Sequence, residues 1–142
     1  MPNYYVNEAV LDLPDRPFVD RTIHALEAEL ERGQKLAVFV HRRPIEGGES
    51  LRELVDENVA LNRTRLHAFA VLDEVQADVG GLPSILVRAR WRSGAATFCQ
   101  RQAHVVVGDK RLIFAVTTPL AEQAAGDETF DSALSTLTWR TV

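Results

Sequence analysis

Hydrophobic and polar positions change their period several times along the chain, and each change marks an element. Val6, Ala9, Leu11 and Leu13 interleave with polar residues across 3–13, which predicts a strand closed by Pro14-Asp15. A short second strand is predicted over 21–27 around Ile23, and Gly33 marks a turn. Residues 35–43, KLAVFVHRR, are rich in β-formers and apolar on both faces, which predicts a central strand. After a loop at 44–50 the period lengthens to that of a helix. Ser50 with Glu53 three residues on forms a capping box. Over 51–66, at about 100° per residue, Leu51, Leu54, Val55, Val59 and Leu66 fall on one face. Asn58 and Asn62 fall in the middle of that face. A buried amide without a partner costs about 1–3 kcal/mol, so both are expected to have one.

From residue 68 the strand alternation returns. Strands over 68–77, 84–92, 96–107 and 111–118 are separated by Gly80-Gly81, Ser93-Gly94 and Gly108-Asp109, which suit tight hairpins. Pro119 ends the last strand. A helix over 127–138 places Phe130, Leu134 and Leu137 on one face, with Trp139 after it. The predicted fold is α+β: an antiparallel sheet of about six to seven strands, with a C-terminal four-strand meander and helices packed on one face. It forms a single domain over 1–142.

Composition narrows the class. A length of 142 residues with 46% hydrophobic content fits one compact domain. A net charge of −4 with scattered basic residues speaks against nucleic-acid binding. The one cysteine cannot make an internal disulfide and fits a reducing compartment. The N-terminus has neither a basic start nor a continuous apolar run, so no signal peptide is expected. No apolar run approaches the roughly 20 residues of a membrane span. A cytoplasmic protein without stable membrane insertion is expected.

Candidate chemistry is sparse. The chain has no GxSxG, P-loop, GxGxxG or HExxH motif. Cys99 and His104 are separated by an odd number of positions on one strand, so they face opposite ways. Cys99 reads better as a small buried hydrophobe than as a nucleophile. His24, His41, His67 and His104 make no HxH or HxxxH pair. His41 and His104 are the pair that a sheet would bring together, but without a carboxylate they make a poor metal site. No metal and no cofactor are expected. Asp73, Glu74 and Asp78 read as solvated turn charges. Arg88, Arg90 and Arg92 read as a solvated edge or outer face, with an anion site as the alternative. On strand 96–107, Phe98, Gln100, Gln102 and His104 share one face, and Thr97, Cys99, Arg101, Ala103 and Val105 the other. A phenylalanine among glutamines offers apolar area with amides that both donate and accept, as a binding surface does. An ordinary amphipathic sheet face would read the same way.

Taken in order, YYVNEAVLDLPD, FVDRTIHAL, LRELVDENVALNRTRLHAF and RARWRSGAATFCQRQ resemble the Eag-type effector chaperones of bacterial type VI secretion, in the DcrB-like group with a PsbP-like fold. The resemblance runs over nearly the whole chain and includes no catalytic motif. It implies a non-enzymatic homodimer whose concave apolar sheet surface shields the N-terminal transmembrane helices of a PAAR- or Rhs-type effector before loading onto the secretion spike. The client contacts it implies are Ile23, Ala25, Phe39, Asn58, Leu66, Phe98 and Gln102. Asn58 stands where the family carries a glutamine and is one methylene shorter. Ala25 is smaller than the usual Ile or Val, which implies a locally deeper groove. A transmembrane helix in water exposes a continuous apolar face, and a groove is one way to cover it. A small-ligand or lipid-binding domain using the same face is the alternative. A lipoprotein of the wider DcrB-like group is another, against which the missing signal peptide speaks.

Overall fold

The computed structural model describes residues 3–5, 10–12 and 23–140. Two short strands, β1 (Asn3–Tyr5) and β2 (Val10–Asp12), pair antiparallel with each other. The single strand predicted over 3–13 is thus two strands of one small ribbon, and its residues 6–9 and 13 lie outside the described residues. So do residues 21–22 of the second predicted strand and most of the FVDRTIHAL segment.

The main sheet has six strands, β3 (Ile23–Glu29), β4 (Lys35–Pro44), β5 (His67–Val79), β6 (Leu82–Ser93), β7 (Ala96–Val107) and β8 (Lys110–Pro119). Their spatial order is β3-β4-β8-β7-β6-β5, with every neighbouring pair antiparallel. The α+β class and the four-strand meander are as the sequence predicts. Helix α1 (Leu51–Arg65) begins at the predicted cap. Ser50 Oγ accepts from the Glu53 amide and Glu53 Oε1 accepts from the Ser50 amide, each at 3.2 Å. Helix α2 (Gln123–Thr136) starts before its predicted position, and Leu137, placed on its apolar face by periodicity, is already its extended C-cap.

The turn between β5 and β6 consists of Gly80 and Gly81, with φ of 57° and 87°. Two positive φ angles in a two-residue loop match the twist of the strands they join. Gly80 is doubly constrained, because a Cβ there would stand 2.5 Å from Trp139 Nε1, which donates to the Val79 carbonyl at 3.1 Å. Gly80→Ala is expected to lose about 1–2 kcal/mol from its left-handed backbone, and more from displacing Trp139. Gly94→Ala, at φ 62° in open space, carries the backbone penalty alone. Equal losses in urea denaturation would refute the Trp139 contact.

Register fixes the two faces of the sheet. Ala25, Phe39, Ala115, Gln102 and Val87 are successive cross-strand partners and share one face. Leu26, Val38, Val116, Arg101 and Arg88 form the adjacent row and share the other. Val55 and Val59 of α1 pack on Ile85 and Val87, on the first face. Phe130 of α2 packs on Leu36, Ala103 and Val116, on the second. The helices, expected together on one face, therefore cover opposite ones. Both faces carry apolar rows, so both need cover.

The two charge readings change with this arrangement. Arg88 is not solvated: its Nη1 donates to Asp127 Oδ1 of α2 at 3.0 Å. Arg101 on the neighbouring strand reaches the same oxygen at 3.2 Å and Asp131 at 3.4 Å. Arg90 is half-buried, and of that row only Arg92 is exposed. Glu74 lies within β5 rather than in a turn, where it accepts from Arg52 of α1 at 2.9 Å. These acids and bases are far apart in sequence, so spacing alone could not pair them.

Candidate functional site

Helix α1 covers only part of its face. It packs chiefly on β5, β6 and β7, so the face presented by β3, β4 and β8 extends beyond it. Between the C-terminal half of α1 and this part of the sheet lies a cleft of about 310 Å³. Ile23, Leu61, Ile113 and Ala115 give it apolar area. Asn58, Asn62, Gln100 and Gln102 supply amides, and His41, Arg42, Arg43, Arg65 and Arg111 supply basic groups.

The amides have partners. Asn62 Nδ2 donates to Asn58 Oδ1 at 3.2 Å, one helical turn away, so the two asparagines on the apolar stripe satisfy each other in part. On the sheet, Gln100 Nε2 donates to Thr117 Oγ1 at 2.9 Å. Gln102 Nε2 donates to Gln100 Oε1, and Gln102 Oε1 is 2.8 Å from His104 Nε2. The oxygen can only accept, so His104 carries its proton on Nε2. His104 is fully buried, and its Nδ1 has no partner. Burial, then the charges of Arg111 and Arg52, lower its pKa to about 3. It is neutral and lies outside the cleft lining, to which it is hydrogen-bonded through Gln102. The His41 pKa is also lowered, by burial and by Arg111 and Arg43.

The implied contact residues divide into groups. Ile23, Asn58 and Gln102 come together in the cleft. Ala25 and Phe39 pair with each other and share a row with Ala115 and Gln102, on the same face but outside the cleft lining. Phe98 is further along that face, stacked on Trp91 with ring centroids 6.1 Å apart. Leu66 is the extended C-cap of α1, half-buried and outside the lining. Gln102 is the floor of the site rather than its rim: it is 3% exposed and its amide is already bonded on both sides. Sequence reasoning missed Leu61, Ile113, Ala115 and the basic end. The alternation Arg111, Ile113, Ala115, Thr117 was a signal that could have placed the β8 residues.

The rejected chemistry is separated by the sheet. Cys99 lies on the α2 side, with Sγ 3.9 Å from Gln123 Oε1, while His104 is on the other face. His41 and His104 share a row, but Ile113 of the intervening strand stands between them. Among the described residues no three His, Cys, Asp or Glu side chains are grouped to hold a metal ion. No described helix is long and apolar enough to cross a membrane.

The family model for DcrB matches residues 8–136. The fold is similar to that of PA94 from Pseudomonas aeruginosa, a protein of unknown function. The TM-score is 0.81 at 20% identity, covering 100% of this chain and 99% of that one. It is also similar to LpqN of Mycobacterium tuberculosis, which is involved in cell envelope biogenesis. There the TM-score is 0.64 at 11% identity, over 88% of this chain and 84% of the other. No curated protein matches the sequence. At these identities the likeness to the two structures is one of fold.

Proposed function

We propose that this chain, which belongs to the DcrB family, is a non-enzymatic chaperone of the Eag type. In this reading it works in the cytoplasm as a homodimer. It shields the N-terminal transmembrane helices of a PAAR- or Rhs-type effector and assists loading onto the secretion spike. The observation that carries the proposal is the cleft itself. It sets Ile23, Leu61 and Ile113 beside two facing amide pairs, Asn58–Asn62 on the helix and Gln100–Gln102 on the sheet. Apolar area covers the greasy face of a helix, and amides meet its small polar residues or exposed carbonyls.

The edge strand β3 supports the dimer. All seven of its residues are exposed, with Ile23 at 60% and Leu26 at 65% on opposite faces. An open edge of this kind is a template for pairing with another chain. A client that must reach another cell crosses the envelope, the compartment in whose biogenesis LpqN is involved, so a role connected with the envelope fits the same reading.

Co-expression tests the proposal. An effector with hydrophobic N-terminal segments is expected to stay soluble with this protein and to aggregate without it. Equal solubility in both cases would sink it. Gln102→Ala and Phe98→Ala are each expected to weaken client binding about tenfold, roughly 1.4 kcal/mol, with the dimer still folded. Unchanged binding in both variants would move the site elsewhere. A second reading, a lipid- or small-ligand-binding domain, draws on the cleft volume, which sits at the lower limit of about 300 Å³ for ligand pockets. A lipid retained through native mass measurement would favour it.

A further inference from the structure

The basic end of the cleft differs from the three arginine sites that are closed by carboxylates. Arg52 is paired with Asp56 and Glu74, and Arg88 and Arg101 with Asp127. Arg43 on β4 and Arg111 on β8 are instead cross-strand partners, so two guanidinium groups leave the same face side by side. Like charges placed directly opposite in a sheet repel. Neither group makes a hydrogen bond or a close ion pair with a described residue, although Arg111 is only 9% exposed. His41, two residues before Arg43 on the same face, and Arg65 on α1 extend the basic end. No Asp or Glu lines the cleft. Glu46, Glu49 and Glu57 stand beyond the arginine pair, in the adjoining hollow that Arg43 and Arg111 also line. In a chain of net charge −4, this is a concentration of positive charge that Glu57 offsets only at a distance, without a hydrogen bond or close ion pair to either arginine.

We infer that the Arg43–Arg111 pair is a receptor for a carboxylate, supplied by an acidic residue that flanks the apolar segment held in the cleft. A carboxylate between two guanidinium groups converts their repulsion into two charge-assisted contacts. The buried setting of Arg111 makes those contacts stronger than they would be in open water. The ligand is an apolar body with one anionic end. Ile23, Leu61 and Ile113 take the body and the arginines take the end, which fixes the direction in which the segment enters. Complementarity of this kind selects partner and register more than it adds raw affinity. The inference rests on the chaperone reading and names the chemistry of its client.

The test uses a soluble reporter bearing at its N-terminus an apolar segment of about twenty Leu, Ala and Gly residues. The segment is preceded by two Asp in one version, two Asn in a second and two Lys in a third. The Asp version is expected to bind about tenfold more tightly than the Asn version and the Lys version most weakly, with the differences shrinking in 0.5 M salt as surface charges are screened. Arg43→Gln, at an exposed position, is expected to abolish the preference for Asp over Asn. It should leave the thermal midpoint equal or higher, because it relieves the repulsion. Binding of all three versions without preference, or a preference that survives Arg43→Gln, overturns the inference and leaves the chaperone reading standing. Failure of every version to bind overturns both. A fatty acid that co-purifies with the wild type and is lost from Arg43→Gln would assign the arginines to a lipid headgroup and overturn the inference as well.

Discussion

Phe130→Ala is expected to cost about 3–5 kcal/mol of stability, the usual loss for a fully buried phenylalanine. Phe130 has no exposed surface and packs against Leu36, Ala103 and Val116. Its ring lies 5.7 Å from that of Phe114, and the Arg101 guanidinium sits over the Phe130 ring, 4.3 Å from its centroid. Removing the ring thus opens a cavity and takes away the surface on which a half-buried cation rests. The other ties of helix α2 are partly exposed ion pairs, from Asp127 to Arg88 and Arg101 and from Asp131 to Arg101, and its N-cap makes no side-chain hydrogen bond. An isolated helix of its 14 residues is marginal in water. Urea denaturation followed by circular dichroism measures the loss. A change below about 1 kcal/mol would mean that α2 is held by something other than this residue.

Acid is expected to destabilise the fold through His104. Its folded pKa is about 3, against 6.5 for the unperturbed side chain. Below pH 6.5 the unfolded chain binds a proton that the folded chain does not, so stability falls as pH falls. The contribution is fully present above pH 6.5 and is lost progressively down to about pH 3. At about 1.4 kcal/mol per pH unit, it amounts to about 2 kcal/mol between pH 7 and 5, and about 3 kcal/mol by pH 4. Carboxylates add their own dependence at the lower end, so the comparison is with His104→Gln, whose amide can still donate to Gln102 Oε1. The difference between wild type and variant should decline through this window. Parallel stability curves from pH 7 to 4 would show that His104 does not titrate on unfolding as described.

Much of this arrangement could be read from local pattern. The glycine-containing turns located the hairpins of the meander, and strand parity alone separates Phe98 and Gln102 from Cys99. The capping box set the start of α1. Asn58 and Asn62 announced an unusual helix face because amides on an apolar stripe need partners. What could not be read depends on pairing at long range. Nothing in KLAVFVHRR says that β4 will join β8, and that pairing is what creates the Arg43–Arg111 juxtaposition and brings His41 to the cleft. The solvated reading of Arg88 failed for the same reason, since its partner Asp127 lies on the helix that covers that face, 39 residues further along the chain. Periodicity gave each helix an apolar stripe but no information on which side of the sheet it would bury it.

The strand order also constrains when the protein can work. The β3–β4 hairpin touches the rest of the sheet through β8 alone, and a lone hairpin is marginally stable in water. Its docking site is completed only when residues 110–119 have been made and have paired with β7. During synthesis the N-terminal hairpin therefore waits through about seventy residues of chain, a long loop to close and a slow step in a β-rich fold. The meander and α1 can assemble first, but the cleft exists only once the hairpin closes onto them. A ribosome still short of the last strand carries a chain without the cleft, so in the proposed reading client capture belongs to the finished protein and not to the nascent one.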